Sequence, residues 1–128
     1  MNSTYESILY KIRDLVDLKR QGKFGEAISG YQQLDKMYPQ TPVIIKSWAK
    51  TLSAAGYYNT AIEKYTEAAQ RYRLIGDMYE SEICNRHMQI LIHHKRMGFN
   101  LRDPEFIEYI KQISGTRDLT GRDLTCKD

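Results

Sequence analysis

The residues in this 128-residue chain best equipped for chemistry are crowded into one short stretch: Cys84, His87, His93 and His94. Cys84 and His87 stand at i, i+3, and His87 and His94 at i, i+7, so these three would share one face of a helix. Thiolate and imidazole on a common face are ligand types that zinc selects. The set is incomplete, because Leu91 occupies the intervening position and no carboxylate joins the stripe. Packing or solvent-facing histidines are therefore expected, and no metal site is assigned. His94, followed by Lys95 and Arg96, also suits the basic end of a helix. Cys84 and Cys126 form no spacing framework for disulfides or zinc, so free thiols are the simpler expectation. The chain has no P-loop, no Gly-x-Ser-x-Gly turn and no dinucleotide fingerprint. No catalytic residue and no cofactor are expected, and the chain does not read as an enzyme.

Ten tyrosines, some interleaved with basic residues as in Gln70-Arg71-Tyr72-Arg73, raise a nucleic-acid reading. Two facts argue against it: a net charge of +3 is weak for a phosphate binder, and Tyr31, Tyr38, Tyr65 and Tyr72 fall on an apolar helical face. Hydrophobic content of 41% with 27% charged residues is ordinary for one globular domain. No apolar run approaches the roughly 20 residues of a membrane span, and the N-terminal residues lack a signal-peptide layout. Residue two is Asn rather than the Gly that myristoylation needs. The expectation is a cytoplasmic protein with no membrane partner.

The elements that would position these residues announce themselves by repetition. Gly22, Phe24, Ala27, Ile28 and Tyr31 recur 34 residues later as Gly56, Tyr58, Ala61, Ile62 and Tyr65. Tyr38 recurs as Tyr72, and Leu34 is echoed by Ala68. From Phe24 through Tyr38 the steps keep to one face of a helix with 3.6 residues per turn. Gly22 and Gly56 stand where a preceding helix would end in a left-handed turn. Ala27 and Ala61 stand where two helices would cross at close range. A fixed period of this length marks helical hairpins that bury their apolar faces by stacking on neighbours.

Local signals divide the chain into six predicted helices. Ser3-x-x-Glu6 reads as a capping box opening the first, which runs to about Gln21. The second spans about 24 to 37 and stops before Pro39. Thr41 would cap the third, with Pro42 in its first turn. The fourth runs from about Asn59 to Leu74, and Asp77-x-x-Glu80 opens a fifth that reaches about Met97. Asp103-Pro104-Glu105 opens a sixth that fades at Gly115. Residues 1–114 are read as the helical domain. Residues 115–128, with Arg-Asp-Leu-Thr written twice at 117–120 and 122–125, are read as a disordered tail, or as a short docking motif.

The stretches QGKFGEAISGYQQLDKMYP and AGYYNTAIEKYTEAAQRY resemble the tetratricopeptide repeat (TPR) in their glycine–aromatic–alanine–aromatic pattern. Pro39 matches the family's closing proline, and Trp48, Ala49 and Leu52 match its first-helix positions. The resemblance covers about residues 8 to 72 well and about 76 to 114 loosely. It implies an all-α fold of antiparallel hairpins stacked as a short right-handed solenoid of about six helices, the third hairpin degenerate. The first helix is out of phase: straight counting would bury Lys11 and Asp14, whereas a slip of one residue buries Ile12, Leu15 and Val16.

In stacked hairpins the first helix of each pair lines the concave face, which solenoids use for binding. Arg13, Asp17 and Arg20 take that side of the first helix, Lys46 and Lys50 of the third, and Asn85 and Met88 of the fifth. Such a groove is biased towards an acidic or carboxylate-bearing peptide. The lysine/asparagine clamp by which some TPR proteins hold the C-terminal carboxylate of chaperone tails is not reproduced. Asp17 or Val16 and Ser47 stand at its asparagine positions, and Asp77 with Ser81, or Asn85 with Gln89, at its third-repeat pair. The expected function is a non-enzymatic protein–protein adaptor or scaffold. Self-assembly, as in a homodimer, and an RNA-binding helical repeat are the alternatives.

Overall fold

The computed structural model describes residues 2–97, and every element among them is helical. The helices are α1 (Asn2–Arg20), α2 (Phe24–Met37), α3 (Pro42–Ala55), α4 (Tyr58–Leu74) and α5 (Met78–Met97). The sixth predicted helix and the duplicated tail lie outside the described residues. Each helix packs on the next, and α1 also touches α3. The connections are short, so consecutive helices run antiparallel.

Three of these connections are the same backbone device. After α1, Gly22 N–H bonds Lys19 O and Lys23 N–H bonds Leu18 O. After α3 the pair is Gly56 to Ser53 and Tyr57 to Leu52, and after α4 it is Gly76 to Arg73 and Asp77 to Tyr72. This double bond around a left-handed residue satisfies carbonyls that the helix end would otherwise orphan. Gly22, Gly56 and Gly76 have φ of 80°, 92° and 84°, as the motif requires.

Other predicted caps form differently. α1 begins at Asn2, so Ser3 lies inside the helix rather than before it. Thr41 is the residue before α3, with Pro42 in the first turn, but its hydroxyl donates back to Tyr38 O at 2.9 Å instead of capping forward. Asp77 does cap α5, accepting the Glu80 N–H at 3.1 Å. The reciprocal half of that capping box is missing, because Glu80 is engaged elsewhere.

Two core clusters follow the repeat. One joins Ile8, Ile12, Ala27, Tyr31, Leu34 and Ile44, and the other runs from Ile45, Ala49 and Leu52 through Ala61, Tyr65 and Ala68 to Cys84 and Leu91. Trp48 packs against both and couples them. Tyr31 and Tyr65, equivalent residues of the two repeats, are both fully buried, and each such burial is worth on the order of 2–3 kcal/mol. Ala27 and Ala61 are fully buried too, as close helix crossing demands. The one-residue slip in α1 holds: Ile12 is buried, Leu15 and Val16 are half-buried, and Lys11 and Asp14 are exposed. A second close approach was not anticipated. A Cβ at Gly30 of α2 would collide with a methyl of Leu15, so α1 and α2 meet over a missing side chain.

Candidate binding groove

One face of α1 opens onto a groove of about 680 Å³, lined among the described residues by Glu6, Leu9, Tyr10, Ile12, Arg13, Val16, Asp17 and Arg20. The i, i+3, i+4, i+7 spacing of Glu6, Leu9, Tyr10 and Arg13, continued by Val16, Asp17 and Arg20, is what one helical face permits. The neighbouring stripe, Ile8 and Ile12, anchors the helix in the core and so holds this face outward. Tyr10 is 65% exposed and Leu9 40% exposed, an apolar floor left open beside two arginines. Arg20 approaches Asp17 at only 3.9 Å, and both side chains are mostly exposed. Such a surface pair contributes little, so the guanidinium stays available to a stronger carboxylate partner.

Arg13, Asp17 and Arg20 all line this groove. The other four candidates are placed differently. Lys46 Nζ donates to Glu80 Oε1 at 2.7 Å, with both side chains largely covered, so its charge is met within the protein. The Met88 sulfur accepts the Thr66 hydroxyl at 2.9 Å, which turns it towards α4 and against the second core cluster. Lys50 and Asn85 are half-buried. The positive charges of Lys50 and Lys46 reach His87 and help hold its imidazole below the ordinary value, after burial itself.

The Cys/His stripe belongs to the interior. His87 and Cys84 are fully buried and His94 nearly so. His87 Nδ1 meets the Tyr65 hydroxyl at 3.1 Å, with the ring centroids 5.0 Å apart. His94 meets Tyr58 edge to face at 4.7 Å. The partners lie seven residues apart on α4 and seven apart in the opposite sense on α5, which fixes the antiparallel register of that hairpin. Burial pushes the Cys84 thiol up to about 11, so at neutral pH it is a protonated packing group rather than a nucleophile. Burial likewise pushes the Tyr31 phenol up to about 12, despite the Thr51 and Ser47 hydroxyls beside it. Among the described residues no three His, Cys, Asp or Glu side chains are grouped to hold a metal ion.

No family model, curated protein or solved structure matches this chain.

Two groove features escaped sequence reasoning. Leu9 and Tyr10 were not singled out, although two large apolar residues beside the core stripe of helix one were a readable signal. Glu80 was taken only as a cap residue. That it stands 34 residues after Lys46, with opposite charge, was the clue to the ion pair.

Proposed function

We propose that this chain is a TPR-like, non-enzymatic adaptor whose groove along α1 holds a segment of another protein. The observation that carries the reading is the open groove of about 680 Å³, in which Arg13 and Arg20, set among Glu6 and Asp17, stand beside exposed Leu9 and Tyr10. That combination suits an amphipathic helix or extended peptide with apolar anchors and carboxylates, since apolar contact supplies affinity and the arginines orient the acidic groups. The repeat pattern and the stacking of consecutive helices support a short solenoid as the scaffold.

The test is fluorescence anisotropy with labelled amphipathic peptides, one set acidic and one set with lysine in place of each acid. Wild type binds the acidic set more tightly, and an Arg13→Glu/Arg20→Glu variant loses about tenfold or more while remaining helical. Equal affinity for both sets, or an unaffected variant, would remove the groove from consideration. A second reading, a homodimer through the same face, is favoured by the 65% exposure of Tyr10. It predicts a concentration-dependent mass in sedimentation that Tyr10→Asp abolishes.

A further inference from the structure

The turn between α4 and α5 carries the largest run of exposed apolar side chains in the described residues. Leu74 is 74% exposed, Ile75 67%, Met78 55% and Tyr79 67%. Surface apolar residues scattered singly need no explanation, but four within six positions around one turn do. Arg71 and Arg73 stand in the last turn of α4, immediately before them.

The amide donors of the turn are paired within it. Ile75 N–H bonds Arg71 O and Tyr72 O, Gly76 N–H bonds Arg73 O, and Asp77 N–H bonds Tyr72 O. Gly76, at φ 84°, makes the sharp reversal without strain. The apolar groups are therefore presented at a tip whose Ile75, Gly76 and Asp77 amides are already paired, which lowers the cost of contact with an apolar medium. Of the nearby carboxylates, Glu80 pairs with Lys46, and Asp77, in the turn itself, accepts the Glu80 N–H and keeps its charge. The tip thus carries Arg71 and Arg73 against the single carboxylate of Asp77, a net positive charge.

We propose that this turn is a peripheral docking tip for an anionic lipid surface. Leu74, Ile75 and Met78 enter the acyl boundary, Tyr79 sits at the headgroup level, and Arg71 and Arg73 meet the lipid phosphates. Amphipathic tyrosine and long cationic side chains favour that interface because each has an apolar body and a polar end. A second copy of the chain fits less well, because four side chains fall short of the roughly 800 Å² per partner that a stable dimer buries. A convex tip also suits a deformable medium better than a fixed pocket. No described helix is long and apolar enough to cross a membrane, so the contact is one of surface association. The inference is independent of the α1 groove.

The experiment is co-sedimentation of the full chain with phosphatidylcholine vesicles, with and without about one-third phosphatidylserine. Wild type pellets with the anionic vesicles, and binding weakens with added salt. Leu74→Asp/Ile75→Asp and, separately, Arg71→Glu/Arg73→Glu each reduce binding about tenfold or more, while the groove variant Arg13→Glu/Arg20→Glu binds vesicles as wild type does. Circular dichroism confirms that each variant is folded; Arg73, Leu74 and Ile75 are exposed, and because Arg71 is half-buried the single Arg73→Glu variant is measured beside the double one. Absence of wild-type binding to the anionic vesicles would overturn the proposal, as would tip variants that bind as wild type does. So would a concentration-dependent dimer in lipid-free solution that Leu74→Asp/Ile75→Asp dissolves, since a second copy would then be the occupant.

Discussion

Lys46 and Glu80 stand 34 residues apart in the sequence and meet in the fold at 2.7 Å, joining the second turn of α3 to the first turn of α5. Their side chains are only 15% and 28% exposed. A pair so covered is screened less by salt than a surface pair, and removing one member leaves the other charge with its desolvation uncompensated. Lys46→Glu is therefore expected to lower stability by about 1–3 kcal/mol, and Glu80→Lys by a similar amount. The exchanged double variant, Lys46→Glu/Glu80→Lys, should recover most of that loss. Urea unfolding of the four proteins closes the cycle; additive losses in the double variant would show that the two charges do not interact.

His87 sets a pH dependence of definite sign. Burial, with Lys50 and Lys46 nearby, holds its imidazole well below the ordinary 6.5. The unfolded chain therefore takes up a proton at that position while the folded protein does not. The stability tied to neutral His87 is present above about pH 6.5 and declines as pH falls, by up to about 1.4 kcal/mol per pH unit. His87→Gln is less stable than wild type at pH 7.5 because it loses the contact with Tyr65. The gap should narrow at pH 5.5, where only wild type carries the penalty. Thermal unfolding of both proteins at the two pH values measures it, and a constant gap would contradict the assignment.

Two glycines should respond to alanine in opposite directions. Gly56 ends α3 at φ 92°, where a side chain is strained whatever the space around it. Gly56→Ala is expected to cost about 1 kcal/mol. Gly25 lies in the first turn of α2 with no neighbouring atom in the way of a Cβ. Gly25→Ala should gain about 0.5 kcal/mol, chiefly by restricting the unfolded chain. Midpoints of chemical denaturation at unchanged slope would report both.

Ala27 and Ala61 are small because helices meet over them, both being fully buried. Leucine at either site is expected to destabilise the domain by about 1–3 kcal/mol through overpacking. At Tyr10, by contrast, truncation to alanine should change stability by no more than about 0.5 kcal/mol, since the side chain is 65% exposed. Ile12→Ala, two residues on and buried, should cost about 2–4 kcal/mol. Unfolding of the Tyr10 and Ile12 variants thus separates an exposed groove side chain from one that also anchors α1 in the core.

Much of the helical framework was legible before any coordinate. The starts and stops of α2 and α3 and the start of α4 follow from Gly22, Pro39, Pro42 and Gly56, which act on their own few neighbours, whereas the stop of α4 comes from Gly76. The out-of-phase α1 was also readable, because burying Lys11 and Asp14 would have left two charges without partners. Reading failed where two local rules competed for one residue. Asp77-x-x-Glu80 is a capping box by spacing, yet only Asp77 caps, because Glu80 finds a lysine in a neighbouring helix. Thr41 precedes a helix, yet its hydroxyl satisfies the carbonyl of Tyr38.

The amino-acid order alone determined the helices, their caps at Gly22 and Gly56, and the faces that repeat every 34 residues, since those depend on interactions within a turn or two. Packing decided the fate of the polar groups. Whether His87 is a ligand, a surface group or a buried partner of Tyr65 depends on how α5 registers against α4. Whether Lys46 faces a ligand or Glu80 depends on how one unit stacks on the next. Those registers are set by side chains such as Trp48, shared between two core clusters, and by absent ones such as that of Gly30 against Leu15. Periodicity can place a residue on a face, but only the packed neighbour determines whether that face meets water, an ion or another ring.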